Sequence, residues 1–152
     1  MGVVQLFQYA VLDSDDTRQV KMGSLTEARS IALNDDAVMD ETFNVAPGTA
    51  IKIFDHTSQL GNFLFLWLEC DFDVLVEFVS DAGASNAYDV KTLKGSGTAG
   101  TFGSALVLAS DVSQKVDGAV NEFNGSASVI GQVWVKNQSA TQAARVRMMV
   151  AN

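Results

Sequence analysis

The chain has 152 residues, 47% of them hydrophobic and 18% charged, a composition that excludes an intrinsically disordered polymer and suits one domain with a sizeable core. Its formal net charge of −8 argues against general nucleic-acid binding, because neutralising a phosphate backbone needs clustered Lys and Arg. Residues 3–12 predict a first strand, and Asp13, Ser14, Asp15 and Asp16 end it, since short polar side chains favour turns. A short strand follows at residues 18–22. Ser24 to Glu27 match a capping box, yet Ile31 and Leu33 alternate as a strand does, and the strand-rich reading is preferred. After the break at Asp35 and Asp36, residues 42–45 lead into Ala46, Pro47, Gly48 and Thr49. Pro there sets φ at the second position and Gly allows positive φ at the third, a type II turn signal. The turn joins that segment to residues 50–54, with Ile51 and Ile53 on one side and Lys52 and Phe54 on the other.

Residues 62–79 carry the strongest pattern, two apolar runs around a short acidic turn. In the first run Leu64, Leu66, Leu68 and Cys70 fall on one side and Phe63, Phe65 and Trp67 on the other, so both faces are apolar and the strand belongs at the centre of a β-structure. The second run sets Val74, Val76 and Phe78 against Leu75, Glu77 and Val79, one face for a core and one partly wet. A polar loop at 80–86 and a strand at 87–93 come next. The glycine-rich tract from Lys94 to Thr101 predicts a mobile loop, and 102–108 returns to strand character. Residues 109–128 are less periodic and predict surface loops. Segments 129–135 and 144–150 predict a terminal strand pair, with Val133 and Val135 inward on one and Val146, Met148 and Val150 inward on the other.

Roughly eight to ten strands and no sustained helical stripe predict an all-β fold, a β-sandwich or jelly roll formed by one domain over residues 1–152, with room for an N-terminal arm at 1–20. With a single Pro, sheet edges need charge, loops or neighbouring subunits to cover them, so a homo-oligomer is a natural solution. Val3 and Val4, together with Phe63 and Trp67 on the second face of the central strand, are candidate interface residues, although a two-sheet core could absorb the aromatics.

The search for chemistry yields little. Cys70 is the only cysteine, so an intrachain disulfide or thiolate cluster is excluded, and its apolar neighbours predict a buried structural thiol. His56 is the only histidine, so a site built on several imidazoles is excluded, and it reads as a solvated loop residue rather than a general base. Asp71 with Asp73, or Asp13 with Asp15 and Asp16, could be paired acids or Ca²⁺ ligands, but turn formation accounts for both clusters better and neither matches an EF-hand loop. The glycines at 95 and 97 lack the following Lys of a phosphate loop. The expectation is therefore a protein with no catalytic residues, no cofactor and no metal. No secretory signal is read in the first sixteen residues, and the longest apolar run, 63–68, is too short to cross a bilayer.

The acidity is uneven. Residues 1–90 carry 15 acidic against 4 basic side chains and residues 91–152 carry 3 against 6, so the C-terminal part is mildly basic. Ordinary surface variation explains that; a sharper reading has opposite-sign surfaces meeting between subunits or on a partner shell.

The segment Asn62 to Asp71 with Asp73 to Glu77, and the segment Val133 to Ala140 followed by Ala144 to Arg147, resemble patterns in small structural proteins of tailed-bacteriophage particles. The resemblance covers residues 43–80 and 129–151. It implies a non-enzymatic virion protein, a capsid decoration or cement protein that binds the outside of a phage head and bridges capsomers. The implied partners are the major capsid protein and further copies of the chain, with a trimer favoured by analogy, no nucleic acid and no membrane. The implied place is the virion, assembled in the host cytoplasm. Trp134, Arg145 and Arg147, within the matching C-terminal segments, join the candidate contacts. The competing expectation is a carbohydrate- or receptor-binding β-sandwich of a phage tail or fibre, using Trp67, Trp134 or Tyr88 beside Asp or Asn.

Overall fold

Alternation of apolar and polar residues becomes a succession of strands: β1 (Val3–Leu6), β2 (Tyr9–Asp13), β3 (Gln19–Gly23), β4 (Arg29–Ala32), β5 (Val38–Val45), β6 (Ala50–Asp55), β7 (Phe65–Cys70), β8 (Val74–Ser80), β9 (Tyr88–Leu93), β10 (Ala105–Ala109), β11 (Lys115–Val116), β12 (Ser128–Asn137) and β13 (Ala144–Ala151). The computed structural model describes residues 3–6, 9–13, 19–23, 29–32, 38–80, 88–109, 115–116 and 128–152, with side chains over 38–80, 89–109 and 129–152; among the described residues there is no helix. The first four strands pair as β1 with β4 and β2 with β3, both antiparallel.

From β5 onward the pairing is nested. β8 pairs with β9, β7 with β10, β6 with β12, and β5 with β13, all antiparallel. The chain thus behaves as one long two-stranded ribbon, rolled so that alternate pairs enter alternate sheets. One sheet has the order β10-β7-β13-β5; the other runs β9-β8-β12-β6, with β11 against the start of β12. This is the jelly-roll form of the all-β sandwich.

Rolling the ribbon overturns one expectation about neighbours. β12 and β13 do not pair with each other: β12 lies between β8 and β6, and β13 between β5 and β7. β7 and β8, either side of the acidic turn, likewise sit in opposite sheets, as do β5 and β6. Short turns here are arches from one sheet to the other. The turn at Pro47 and Gly48 forms as expected, with Gly48 at φ +65° and the Thr49 N–H donating to the Ala46 carbonyl at 3.2 Å.

The core lies between the sheets. Val45, Leu66, Leu68, Cys70, Val146, Met148 and Val150 face Val74, Val76, Phe78, Leu93, Val133 and Val135, all at most 3% exposed. Burial of this kind contributes about 25 cal/mol per Å² of apolar surface and drives the closure of the sandwich.

Two local departures from strict alternation matter. On β6, Phe54 pairs with Val133 and Lys52 with Trp134, which leaves Ile53 as an extra residue in a β-bulge. Ile53 and Phe54 are therefore both buried, and Phe54 is not on the face of Lys52 as alternation predicts. Before β7 the chain turns, so Phe63 enters the main core and meets Phe54 edge to face at 5.3 Å between ring centroids. Leu64 instead joins Phe65 and Ala151 in a second apolar cluster, with Trp67, Val107, Ala109 and Met149 against it. The expected sides of Phe63 and Leu64 are exchanged because the alternation of β7 begins only at Phe65.

Candidate functional site

Four connections gather at one end of the roll: residues 46–49, 71–73, 94–104 and 138–143. Asp71 follows the last residue of β7 and is 1% exposed. Its Oδ1 accepts the Arg145 backbone N–H at 2.7 Å and its Oδ2 accepts that of Gly100 at 2.8 Å. A carboxylate with both oxygens committed to backbone amides is an architectural cross-link. Asp73 accepts the Gly95 N–H at 3.0 Å and pairs with the Lys94 ammonium, and that hydrogen-bonded pairing holds its carboxyl below the usual range. Asn137, fully buried, donates through Nδ2 to the carbonyls of Val45 and Gln142 and accepts the Ser139 N–H through Oδ1.

The glycine-rich tract is a loop, as expected, but it is tied down. The N–H groups of Gly97 and Gly103 donate to the carbonyls of Asp71 and Cys70, and Ser104 donates to that of Lys94. It connects two strands, so the strand-to-helix setting of a phosphate loop is missing at this place. A shallow depression lined by Phe72, Asp73, Gly97, Gln138 and Ser139 opens here.

Asp71 and Asp73 thus serve the turn, in line with the expectation for that pair. The side chains of Asp13, Asp15 and Asp16 lie outside the described residues. Among the described residues no three His, Cys, Asp or Glu groups converge as a metal site. His56 follows β6 in a turn and donates its backbone N–H to Gly131. Cys70 is buried in the core, and desolvation, with the charges of Asp73 and Asp71 adding to it, pushes its thiol up to about 12.

The outer face of the β10-β7-β13-β5 sheet is graded. Register aligns Val107, Trp67, Met149 and Asp40 in one row and Ala105, Glu69, Arg147 and Thr42 in the next. Arg147 grips Asp40 through two bonds, Nε to Oδ1 at 3.0 Å and Nη2 to Oδ2 at 2.8 Å, and reaches Glu69 at 3.4 Å. The hydrogen bond to Arg147 lowers the Asp40 carboxyl, and Asp40 in turn raises the guanidinium. Arg147 is thereby committed within the chain, whereas Arg145 is exposed.

The outer face of the other sheet centres on Trp134, which is half-buried. Its Nε1–H donates to Gln132 Oε1 at 3.0 Å, and the Lys52 ammonium stands 5.9 Å from its ring centroid. A depression of about 190 Å³ beside the ring is lined by Ala50, Leu75, Glu77, Val90, Trp134, Val135 and Lys136.

The predicted contact residues therefore separate. Val3 and Val4 open β1, and their side chains lie outside the described residues, as does that of Tyr88. Phe63, 1% exposed, is a core residue with no surface to offer. Trp67 with Arg147 and Trp134 with Glu77 end up on opposite sheets. Glu77 and Lys136 were not singled out as site residues in the sequence because their pairing with the Trp134 row depends on register between strands far apart in the chain. The one available signal was that each takes the outward position of an alternating strand. No protein-family model, curated protein or solved structure matches the chain.

Proposed function

We propose that the chain is a non-enzymatic structural subunit of a tailed-phage particle, a decoration protein that binds the outside of the head and stabilises it by bridging capsomers. The observation that carries this reading is the nested strand order, since double-sheet jelly rolls recur in viral capsid domains. The sequence resemblance supports it, and so does the use of Asp71, Asp73 and Asn137 as internal ties. Attachment would act by mass action: each bound copy adds interface that must be broken before neighbouring capsomers separate, and repetition turns weak contacts into strong net adhesion. The acidic surface would face solvent and the sheet face that carries the exposed Arg145 on β13 the shell.

The test adds purified protein to phage heads that lack it. Saturable, symmetric occupancy by cryo-electron microscopy and a raised disassembly temperature are expected, with attachment weakening as salt rises. A protein that stays monomeric and attaches to no phage particle would refute the proposal.

A second reading, a receptor-binding module of a phage tail or fibre, is favoured by one feature, the half-buried Trp134 beside a depression on a sheet face.

A further inference from the structure

We propose that the outer face of the β9-β8-β12-β6 sheet holds a glycan subsite, in which a single neutral hexopyranose ring stacks on Trp134 between Glu77 and Lys136. This inference rests on the receptor-binding reading of that face and does not depend on shell attachment.

Register builds the place. Trp134 lies opposite Glu77 on β8 and opposite Lys52 on β6, Lys136 lies opposite Leu75, and Val90 lies opposite Glu77 on β9. Leu75 and Val90, the latter 46% exposed, give the depression an apolar floor beside the indole. Its volume, about 190 Å³, falls below the roughly 300–1,000 Å³ of drug-sized pockets, so it accommodates one ring.

The indole N–H is already spent on Gln132 and the Lys52 ammonium stands over one face of the ring, which pins the indole and leaves its other face as the recognition element. An aromatic face carries partial negative charge and favours the weakly positive C–H groups along one side of a sugar ring. The hydroxyl edge of that sugar needs both acceptors and donors. Glu77 supplies only acceptors and Lys136 only donors, and neither side chain has a hydrogen bond or ion pair among the described residues.

This pairing of opposite charges selects the ligand class. With Lys52 already paired to Asp55, an anionic ligand would meet Glu77 and a cationic one Lys136, each a like-charge contact that offsets the attraction of the other group. An apolar side chain seated in the depression would strip water from Glu77 and Lys136 without replacing its hydrogen bonds. A neutral polyol both donates and accepts, and so satisfies the two groups together.

The experiment follows the two indole N–H resonances of the full chain, assigned with Trp134→Phe, while methyl glycosides of glucose, galactose, mannose and N-acetylglucosamine are titrated in. At least one should move the Trp134 signal saturably and leave Trp67 in place. Glu77→Ala and Lys136→Ala should each weaken that binding about tenfold, the loss expected for one charge-assisted hydrogen bond, and Trp134→Ala should abolish it. An unchanged Trp67 signal reports that a variant is folded; if Trp134→Ala does not fold, the two rim variants carry the test. The assignment is overturned if none of the four glycosides moves Trp134, if Trp67 responds instead, or if a leucine amide shifts Trp134 while the sugars do not. Glycoside binding is read on the isolated chain, so a failure to attach to phage heads would refute the decoration reading and leave the glycan assignment standing.

Discussion

The buried carboxylate of Asp71 accepts the backbone N–H of Arg145 at 2.7 Å, joining the end of β7 to the start of β13 across a separation of 74 residues. The same side chain accepts Gly100 N–H, so one residue closes the central strand pair and the long glycine-rich loop together.

Replacing Asp71 by Ala removes the acceptor of two N–H groups, those of Arg145 and Gly100, and leaves a gap where a buried carboxylate stood. The expected loss is about 3 kcal/mol, from roughly 1.5–3 kcal/mol for each hydrogen bond to a charged group. Asp71→Asn keeps one acceptor and turns an amide donor toward the other N–H, so it should lose a comparable amount. Urea unfolding midpoints decide the matter, and a loss below about 0.5 kcal/mol for both variants would show that the cross-link is dispensable.

Gly103 and Gly95 are required for close backbone approach. A Cβ at Gly103 would stand 2.4 Å from the carbonyl carbon of Gly95, and one at Gly95 would stand 2.4 Å from the Asp71 oxygen. Either Gly→Ala change should cost more than about 2 kcal/mol, because backbone cannot yield as a side chain does. Gly97→Ala meets open space, but its φ of +78° should still cost about 1 kcal/mol. The ranking, read from thermal midpoints of the three variants, fails if Gly97→Ala is the most damaging.

Acid should loosen the molecule at the loop end and along β5. Asp73 is lowered from 3.8 by Lys94, and Asp40 from 3.8 by Arg147. Both folded values lie below the unfolded ones, so the stability they contribute is present above pH 3.8 and is lost as pH falls through the folded values. Melting temperatures between about pH 6 and about pH 2.5 should fall at the acid end, and Asp73→Asn with Asp40→Asn should make that limb slightly shallower, since both pairs are exposed and screened by solvent. An unaltered slope in the double variant would remove these pairs from the account.

Cys70 should be chemically silent in the folded state. With its thiol pushed up to about 12 and its side chain fully buried, almost no thiolate exists near neutral pH. A maleimide reagent should label it only as fast as the protein opens, and at once in denaturant. Rapid labelling of native protein would contradict the core position.

Much of the strand content was legible in residues. Leu66, Leu68, Val74, Val76 and Phe78 announce β7 and β8 because a half-buried strand must alternate, and Pro47 with Gly48 announce a turn because their φ preferences fit no other use. The tie made by Asn137 was not legible, since its three partners belong to β5 and to the loop after β12, brought together only by folding. Trp67 and Trp134 were visible as aromatic residues at outward or ambiguous positions, but not as the centres of two separate faces.

What the amino-acid order determined alone is local: which segments are strands, where they turn, and that a single cysteine stays among apolar neighbours. Only the tertiary structure decided which strands are partners. Alternation states that a residue points inward without naming the sheet, so hairpin and arch read alike for β12 and β13, and packing of two apolar layers chose the arch. The same choice set the register that gathers Trp134, Glu77 and Lys136, because contacts between distant strands follow from how the ribbon rolls and leave no trace in the spacing of any one segment.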